Sequence, residues 1–444
     1  MRGGLERARL RSDFTHFAER LDGDGPLGVA VSGGGDSVAL LYALAEWNQK
    51  NVKRRPLEVF CVDHGLNPLS PQWTQSVADH AARVGAGFTA LHWQGDKPAS
   101  GLSAAARLAR HALLAQAARQ KSTSVLCLAH TADDIAEAAV MRRQGSNVGA
   151  PQVWSPSPVW PEGRGVFLYR PLLDIRRETL RDYLREIGAS WIDDPSNDNP
   201  ASLRARTRSL LREQEVPIEA RENITPPDMT GLLHADNLAA LGMIAFRADV
   251  FYALPPELAL KRLSAAAVCA GGGDKLPKRA RLEHLYACLP DGKVLTLCGA
   301  RLQQQENCIT ISRETGDIGR QTSPFLDLEP GVEAVWDGRF ALVAAQAMRI
   351  LPSQGVRVDL DAADRKALNA LPAALRGSLP VSEKDHQKKL LMHGAPANTS
   401  LTPATYNKTR VTCLVTPRFY AAMGQITRES HIDSDSWPVV CNGV

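Results

Sequence analysis

The sequence has no pair of cysteines spaced Cys-x-x-Cys, and none of its eight cysteines stands in a Cys/His cluster with zinc spacing. Their scatter indicates buried or free thiols in a reducing compartment rather than a disulfide framework. No uncharged apolar stretch approaches about 18 residues, and residues 1–25 carry many charges without an apolar signal-peptide core. We therefore expect a cytoplasmic protein with no membrane partner.

Two common nucleotide-binding signatures are absent from the glycine-rich segment 32–37. It has no Gly-Lys-Ser/Thr, as a Walker loop requires, and it lacks the Gly-x-Gly-x-x-Gly spacing of a Rossmann fingerprint. Its glycines nevertheless let backbone N–H groups approach an anion, and the following helix start adds positive potential. A strand–helix turn capped by Ser or Asp is the alternative. We predict a phosphate-binding loop made of Ser32, Gly33, Gly34, Gly35, Asp36 and Ser37.

Apolar runs and helical patterns alternate along the first half of the chain. Strands are predicted near 28–31, 57–62, 88–93 and 124–129, and helices near 37–49, 73–84, 103–119, 133–143 and 177–187. This order predicts an α/β fold with a doubly wound, mostly parallel sheet. Residues 151–165 contain four prolines and are predicted to form a loop.

The length of 444 residues exceeds one ordinary core, so several domains are expected. We predict a catalytic domain at 1–215, a helical central domain at 216–320 and a small α+β C-terminal domain at 321–444. The central domain should hold helices near 232–252, 256–270 and 277–289, and then a hairpin of 294–298 and 308–312. The net charge of +4 is compatible with a nucleic-acid partner but does not require one.

Two polar motifs follow predicted strands at the sheet edge where α/β proteins bind ligands. Asp63 and His64 end the second strand, and the paired acids Asp133 and Asp134 open the helix after the fourth. Adjacent acids suit Mg²⁺ beside phosphates, although capping of the helix would also explain them. An ordinary polar turn is the alternative for Asp63 and His64.

Two groups of arginines could contact phosphates. Arg107 and Arg110 share one face of the alanine-rich helix and could clamp phosphates, unless that face is merely solvated. The run 203–212 holds four arginines and no acid, with Arg206 at its centre. Such density predicts contact with the phosphates of ATP or of an RNA backbone, a solvated basic helix being the alternative.

In this order the motifs resemble those of the tRNA(Ile)-lysidine synthetases, which are N-type ATP pyrophosphatases. The loop alone indicates only an ATP pyrophosphatase, whereas its combination with Asp-Pro-Ser-Asn and the arginine run specifies lysidine synthesis. The matching segments are Ser-Gly-Gly-Gly-Asp-Ser (32–37), Val-Asp-His-Gly-Leu (62–66), Ala-Arg-Leu-Ala-Arg (106–110), His-Thr-Ala-Asp-Asp-Ile-Ala-Glu (130–137), Arg-Pro-Leu-Leu (170–173), Asp-Pro-Ser-Asn (194–197) and Arg-Ala-Arg-Thr-Arg (204–208).

The resemblance implies an ATP-dependent ligase that joins L-lysine to carbon 2 of the wobble cytidine of an isoleucine tRNA. An adenylated cytidine would be the intermediate, and AMP and pyrophosphate the released products. The central and C-terminal domains would bind the tRNA, whose anticodon loop carries the cytidine; a homodimer is left open. The implied ATP contacts are segment 32–37, Asp63 and His64; the implied Mg²⁺ ligands are Asp36 and Asp134; the implied catalytic residues are Asp36, Arg110, Asp134 and Arg206.

The chain departs from the family pattern at Asn67, Ala205 and Ser400, without loss of a charged group assigned to the chemistry. Three alternatives remain at this level. They are tRNA thiolation, which commonly uses paired cysteines, small-molecule amide synthesis with the same loop, and a non-catalytic tRNA-binding paralogue.

Overall fold

The computed structural model describes residues 20–146, 149–194, 206–207, 211, 229, 231–233, 237–392 and 409–432. The chain divides into two compact units. The first takes in the described residues of 1–225 together with the C-terminal segment 426–432, and the second takes in those of 226–425.

A six-stranded sheet with the order β3-β2-β1-β4-β6-β5 forms the centre of the first unit. Five strands run parallel, and only β5 is antiparallel to its neighbour. The strands are β1 (Leu27–Ala30), β2 (Leu57–Asp63), β3 (Gly87–His92), β4 (Val125–Cys127), β5 (Trp154–Pro156) and β6 (Phe167–Tyr169); the helices are α1 (Gly35–Lys50), α2 (Ser70–Arg83), α3 (Leu102–Gln120), α4 (Ala132–Arg143) and α5 (Arg177–Glu186). The predicted α/β fold with a mostly parallel sheet is therefore confirmed.

The short central strand β1 shows why the pattern reads as a buried parallel sheet. It lies between β2 and β4, and its residues Leu27 and Val29 have no solvent exposure. Helix α1 buries Leu40 and Leu41 completely in the same core. Strands covered on both faces read as continuous apolar runs, which is how the sequence presents them.

The loop predicted at 151–165 is partly wrong, because residues Trp154–Pro156 form β5 and pair antiparallel with β6. Pro156 has no backbone N–H to donate. It is tolerated because β5 is an edge strand, which has a neighbouring strand on one side only. A strand of three residues is also too short to show any period in the sequence.

Three antiparallel sheets and several helices form the second unit, with strand orders β7-β10-β9-β8, β11-β14-β15-β16 and β12-β13-β17. Its strands are β7 (Ile244–Arg247), β8 (Leu295–Leu297), β9 (Ala300–Gln305), β10 (Cys308–Arg313), β11 (Leu326–Leu328), β12 (Ala334–Trp336), β13 (Phe340–Val343), β14 (Met348–Pro352), β15 (Pro380–Lys384), β16 (Gln387–Leu390) and β17 (Arg410–Cys413). Its helices are α6 (Ala248–Tyr252), α7 (Pro256–Gly271), α8 (Arg279–Cys288), α9 (Thr315–Gly319), α10 (Ala362–Ala370) and α11 (Val415–Ala422), and short 3₁₀ turns lie at Asn237–Leu241, Leu289–Asp291 and Arg357–Asp359. In the described part of the chain, no helix is long and apolar enough to cross a membrane.

Two details predicted for the central region are wrong. The helix expected near 232–252 is instead a 3₁₀ turn, the strand β7 and the short helix α6. The strands of the expected hairpin are not neighbours, because β9 pairs with both β8 and β10 and lies between them. One core cluster contains Ile311 and Leu342, from both sides of the proposed boundary near 320, and the division of this unit into two domains stays a prediction.

The C-terminal segment 426–432 packs within the first unit through a buried ion pair. Both oxygens of Glu429 accept hydrogen bonds from the guanidinium of Arg55, at 2.6 and 2.7 Å, and Ser124 Oγ donates to Oε1 at 2.9 Å. The Arg55 and Glu429 side chains are only 4% and 3% exposed. Gly23 lies so close that an added Cβ would stand 2.6 Å from Glu429 Cδ.

Further contacts attach the same segment along its length. Ser430 donates from its backbone N–H and its hydroxyl to Asp22, at 2.8 and 2.7 Å. The indole N–H of Trp154 donates to the carbonyl of Ile426 at 2.8 Å. Arg55 and Ser124 precede β2 and β4, so the ion pair lies at the edge where the parallel strands begin, opposite the edge where they end.

We predict that Glu429→Ala destabilises the protein by about 3–5 kcal/mol, because it leaves the Arg55 charge buried without its partner. Thermal unfolding measures the effect. Asp24→Ala, which removes a pair whose side chains are 80% and 85% exposed, should cost less than about 1 kcal/mol. The double variant Arg55→Met/Glu429→Met should be more stable than Glu429→Ala. Wild-type unfolding of Glu429→Ala would contradict the assigned role.

Candidate active site

The glycine-rich loop links β1 to α1 and is held by its own serines. Ser37 Oγ donates to the carbonyl of Gly34 at 2.9 Å and accepts the backbone N–H of Ser32 at 3.2 Å. The two hydroxyls, Ser32 Oγ and Ser37 Oγ, lie 3.3 Å apart. Ser37 therefore fixes the shape of the loop, while the start of α1, with its outward-facing N–H groups, is available to an anion.

The segment after α5 packs directly against this loop. The backbone N–H of Ile192 donates to the carbonyl of Gly33 at 2.9 Å. Gly33 has a φ of +87°, and a Cβ there would stand 2.5 Å from Ile192 Cδ1. A Cβ on Gly35 would lie 3.4 Å from the Trp191 ring. The glycine at position 33 is thus required both by its backbone conformation and by the packing of Ile192.

Gly33→Ala should strain the left-handed backbone and collide with Ile192, so we predict a loss of at least about 1–3 kcal/mol in stability. Gly34→Ala is the matched control, because its Cβ would meet no atom closer than 3.7 Å and its φ of −69° suits any residue. Thermal unfolding of the two variants tests the distinction. Equal midpoints would refute the packing argument.

A single guanidinium connects the acids at this sheet edge. Arg177 Nε donates to Asp36 Oδ2 at 2.9 Å, and its Nη1 lies 3.3 Å from Glu137 Oε1. Its Nη2 is 3.6 Å from Asp134 Oδ1. The three carboxylates come from α1 and α4, and the arginine begins α5, so the structure brings the predicted pair Asp36 and Asp134 together around one cationic group.

The paired acids Asp133 and Asp134 take different roles, whereas the alternative interpretation of the sequence had both of them capping their own helix. Asp134 caps α4: its Oδ2 accepts the backbone N–H and the hydroxyl of Thr131, at 2.8 and 2.9 Å. Asp133 instead accepts the backbone N–H of Arg177 at 2.8 Å and pairs with Arg176 at 3.2 Å. Asp133 therefore caps the start of α5, where it orients Arg177.

Burial and charge act in opposite directions on this cluster. Burial raises the pKa of Asp36, as does the nearby charge of Asp134, while Arg177 opposes the rise. Burial disfavours the charged form of Arg177, but Asp36, Asp134 and Glu137 more than compensate and raise its pKa. Arg177 therefore stays cationic, and the acids form an anionic cluster that it neutralises only in part.

The motif after β2 lies at the same edge of the sheet. Asp63 Oδ1 accepts the backbone N–H of Gly65 at 2.7 Å, and its other oxygen is 3.6 Å from His92 Nδ1. His64 packs edge-on against the Trp93 ring, and its buried Nδ1 has no hydrogen-bond partner among the described residues. Burial and the charge of Arg110 lower the pKa of His64, so its ring is neutral at pH 7.

Helix α3 brings Arg110 and a buried histidine next to this motif. His111 is 4% exposed, and its Nε2 has no hydrogen-bond partner in the described part of the chain. Burial lowers its pKa to about 3, with further contributions from Arg110, Arg107 and Arg170. Arg110, a predicted phosphate clamp, thus stands in a region of positive potential formed by several arginines.

The lowered pKa of His111 predicts acid sensitivity. Because the unfolded state takes up the proton near the ordinary value of 6.5 and the folded state only near 3, stability should fall as pH drops through this window. Between pH 7 and 5, His111→Phe should remove about 2 kcal/mol of that loss. Thermal unfolding at both pH values measures it, with His284→Gln, at an exposed histidine, as the control. An unchanged pH dependence in His111→Phe would contradict this assignment.

Comparison with known proteins identifies the chain. Residues 7–215 match the model of a PP-loop domain. The sequence is 38% identical over 417 residues to the tRNA(Ile)-lysidine synthase of Caulobacter vibrioides, an alignment that covers 91% of this chain and 95% of the relative. The chain belongs to the tRNA(Ile)-lysidine synthase family. The synthase of Hyphomonas neptunium is 36% identical over 78% of this chain and 95% of its own length, and that of Ruegeria pomeroyi is 33% identical over 75% and 81%.

Membership of the lysidine synthase family confirms the resemblance stated from the motifs. Arg206 is exposed. The residues on either side of Arg206 and Thr207, 195–205 and 208–210, lie outside the described part of the chain. Asp-Pro-Ser-Asn beyond Asp194, the remaining arginines of the run, Ala205 and Ser400 lie there too. Asn67 accepts the backbone N–H of Leu69 at 2.9 Å in the turn that leads into α2.

Two residues to which the motif analysis gave no role contribute to this candidate site: Arg177 and Ile192. The sequence held a signal for Arg177, because a cation at the start of a helix opposes the helix dipole and calls for compensating acids. Ile192 carried no such signal, since an isolated apolar residue beside a turn is common.

Proposed function

We propose that this chain ligates L-lysine to carbon 2 of the wobble cytidine of an isoleucine tRNA, with consumption of ATP. Its family membership supports the reaction, and the convergence of Asp36, Asp134 and Arg177 beside the glycine loop supports a site for ATP. That convergence is the observation on which the catalytic assignment rests.

The chemistry explains why ATP is needed. The oxygen on carbon 2 of cytosine is a poor leaving group, and transfer of AMP to it releases pyrophosphate and makes it a good one. The ε-amine of lysine then attacks carbon 2, AMP leaves with the oxygen, and the amine loses a proton. The cytidine must be turned out of the anticodon loop to reach the pocket, which single-stranded RNA permits.

The phosphates of ATP are assigned to the loop 32–37 and the start of α1. Backbone N–H groups and the helix dipole favour the anion there, and Ser32 Oγ can donate to a phosphate oxygen while Ser37 holds the loop. Asp63, His64 and Arg110 lie at the neighbouring strand and helix. We assign Asp63 and His64 to nucleotide contacts, and Arg110 and Arg206 to the charge that develops on the phosphates.

The carboxylates of Asp36 and Asp134 suit a magnesium ion. In the described residues, no group of three or more His, Cys, Asp and Glu side chains could hold a metal alone. A nucleotide-bound Mg²⁺ needs only one or two carboxylates, since phosphates and water supply its other ligands. Asp36 and Asp134 both face Arg177, so their oxygens approach one point. When bound, the ion would supply charge neutralisation for the leaving pyrophosphate.

Lysine must attack as a neutral amine, although its ordinary pKa is about 10.4. Asp63, Asp134 and Glu137 are the candidate proton acceptors. Asp134 and Glu137 share Arg177, and Asp134 also caps α4, whereas Asp63 faces His92. The acids beside Arg177 are therefore the more constrained, and Asp63 is the acceptor with fewer competing contacts.

The second unit and the arginine run 203–212 are assigned to the tRNA. A small-molecule amide synthetase would need neither, and phosphate contacts would make tRNA affinity fall steeply with salt. A cytoplasmic location is part of this proposal because charged and modified tRNAs are used there. A homodimer is compatible with it but is not required.

Thiolation is less favoured because of the state of two cysteines in the catalytic sheet. Burial raises the pKa of Cys61 to about 11 and that of Cys127 to about 12. Both are protonated at neutral pH, whereas sulfur transfer requires a thiolate. A non-catalytic paralogue is also less favoured, because Asp36 and Asp134 are present and face the same point.

The test is incorporation of labelled lysine into isoleucine tRNA in the presence of ATP, with pyrophosphate release measured in parallel. We predict that Asp36→Asn lowers the rate at least about a hundredfold, because the metal and phosphates lose a ligand. Glu46→Gln is the matched control. Glu46 lies on the same helix, but it accepts a hydrogen bond from the Tyr183 hydroxyl, away from the loop. Asp134→Asn should reduce the rate more than Asp133→Asn.

Wild-type protein that binds ATP but modifies no tRNA would overturn the proposed reaction. A cytidine-to-uridine change at the wobble position of the tRNA should abolish incorporation of lysine. Asp36→Asn is the cleaner of the two metal-site variants, because Asp134→Asn also alters the cap of α4.

A further inference from the structure

The position of Arg177 raises a question that the reaction does not answer. Its guanidinium contacts Asp36, Asp134 and Glu137, two of which are the proposed Mg²⁺ ligands. The guanidinium thus lies where a metal shared by Asp36 and Asp134 would be attracted. One cation among three carboxylates leaves a formal deficit of two positive charges, which is the charge of Mg²⁺.

Arg177 is held in this place by its backbone. It is the first residue of α5, and its N–H donates to Asp133 at 2.8 Å. Its side chain is 21% exposed, against 42% for the neighbouring Arg176, which lies 3.2 Å from Asp133. The guanidinium is therefore a fixed part of the site rather than a solvated surface charge.

The contacts to Asp36 and to a metal compete for the same lone pairs. Arg177 Nε is 2.9 Å from Asp36 Oδ2, whereas Mg²⁺ binds oxygen at about 2.0–2.1 Å. A positive group at hydrogen-bond distance from a ligand atom repels an approaching cation, and the repulsion is strong where water is partly excluded. The phosphates of ATP would relieve it, since they bring negative charge for both the metal and the guanidinium.

We propose that Arg177 is the resident counter-ion of the Asp36–Asp134 cation site, which suppresses metal binding until the phosphates of ATP arrive. This inference rests on the proposed Mg²⁺ site. Arg177 neutralises the acids in the nucleotide-free protein, and MgATP then binds as one species. Arg177 is a positioning residue in this scheme, because it acts through the acids.

The test measures how tightly the full-length protein binds Mn²⁺ in the absence of nucleotide. Electron paramagnetic resonance reports the binding through the loss of the free-ion signal. Arg177→Gln should bind Mn²⁺ at least about tenfold more tightly than wild type, because a neighbouring positive charge is gone. Arg185→Gln is the matched control and should bind Mn²⁺ within about twofold of wild type, since Arg185 lies near the other end of the same helix, where it pairs with Glu178 and Asp182.

A second measurement separates this role from a purely structural one. Without Arg177 the three acids repel one another, so the thermal midpoint of Arg177→Gln should be lowered and then restored by millimolar Mg²⁺. Wild type should respond much less to Mg²⁺ alone. An arginine that served only to pack α5 against α1 would leave the midpoint lowered whether or not Mg²⁺ is present.

The outcomes distinguish the two proposals. Mn²⁺ binding in the presence of ATP tests the metal site itself. If Asp36→Asn then binds Mn²⁺ as tightly as wild type does, the metal site is wrongly assigned. If Asp36→Asn weakens that binding but Arg177→Gln binds free Mn²⁺ no more tightly than wild type, only the counter-ion role is overturned. Should Arg177→Gln fail to fold, Arg177→Lys replaces it: a lysine reaches fewer of the acids, so Mn²⁺ should bind about twofold to fivefold more tightly, and equal or weaker binding would overturn the proposal.

Discussion

The ion cluster around Arg177 is the interaction on which the geometry of the catalytic unit depends. It joins α1, which carries Asp36, to α4, which carries Asp134 and Glu137, through the first residue of α5. Without the guanidinium, acids on neighbouring helices would repel one another. The oxygens assigned to metal and nucleotide are thus oriented before any ligand arrives, which reduces the reorganisation needed during the reaction.

The opposite edge of the sheet depends on a second buried ion pair. Glu429 is 374 residues from Arg55 in the sequence, and it closes the edge where β1, β2 and β4 begin. The first unit is therefore built from both ends of the described chain, which returns to it at Ile426 after passing through the second unit. Removal of the C-terminal part would take away Glu429 as well as residues assigned to tRNA, so a truncation could not separate the two effects.

The motifs and the order of the helices and strands could be predicted from the sequence, because both depend on residues that are close together along the chain. A glycine run between a strand and a helix, acids after strands and a regular alternation of apolar patterns are all encoded by near neighbours. Parallel strands then bring Asp36, Asp63 and Asp134 to one edge whatever the details of packing. The fold class, the family and the position of the ligand edge follow from that information.

Tertiary structure alone decided which distant residues complete the site. Arg177 was visible as the start of a helix, but its three acidic partners depend on how α1, α4 and α5 pack. The division of labour between Asp133 and Asp134, the contact of Ile192 with Gly33 and the return of Glu429 to Arg55 are of the same kind. The sequence by itself determined the local conformations and the chemistry available, whereas these contacts depend on side-chain directions in the packed core, which no spacing along the chain encodes.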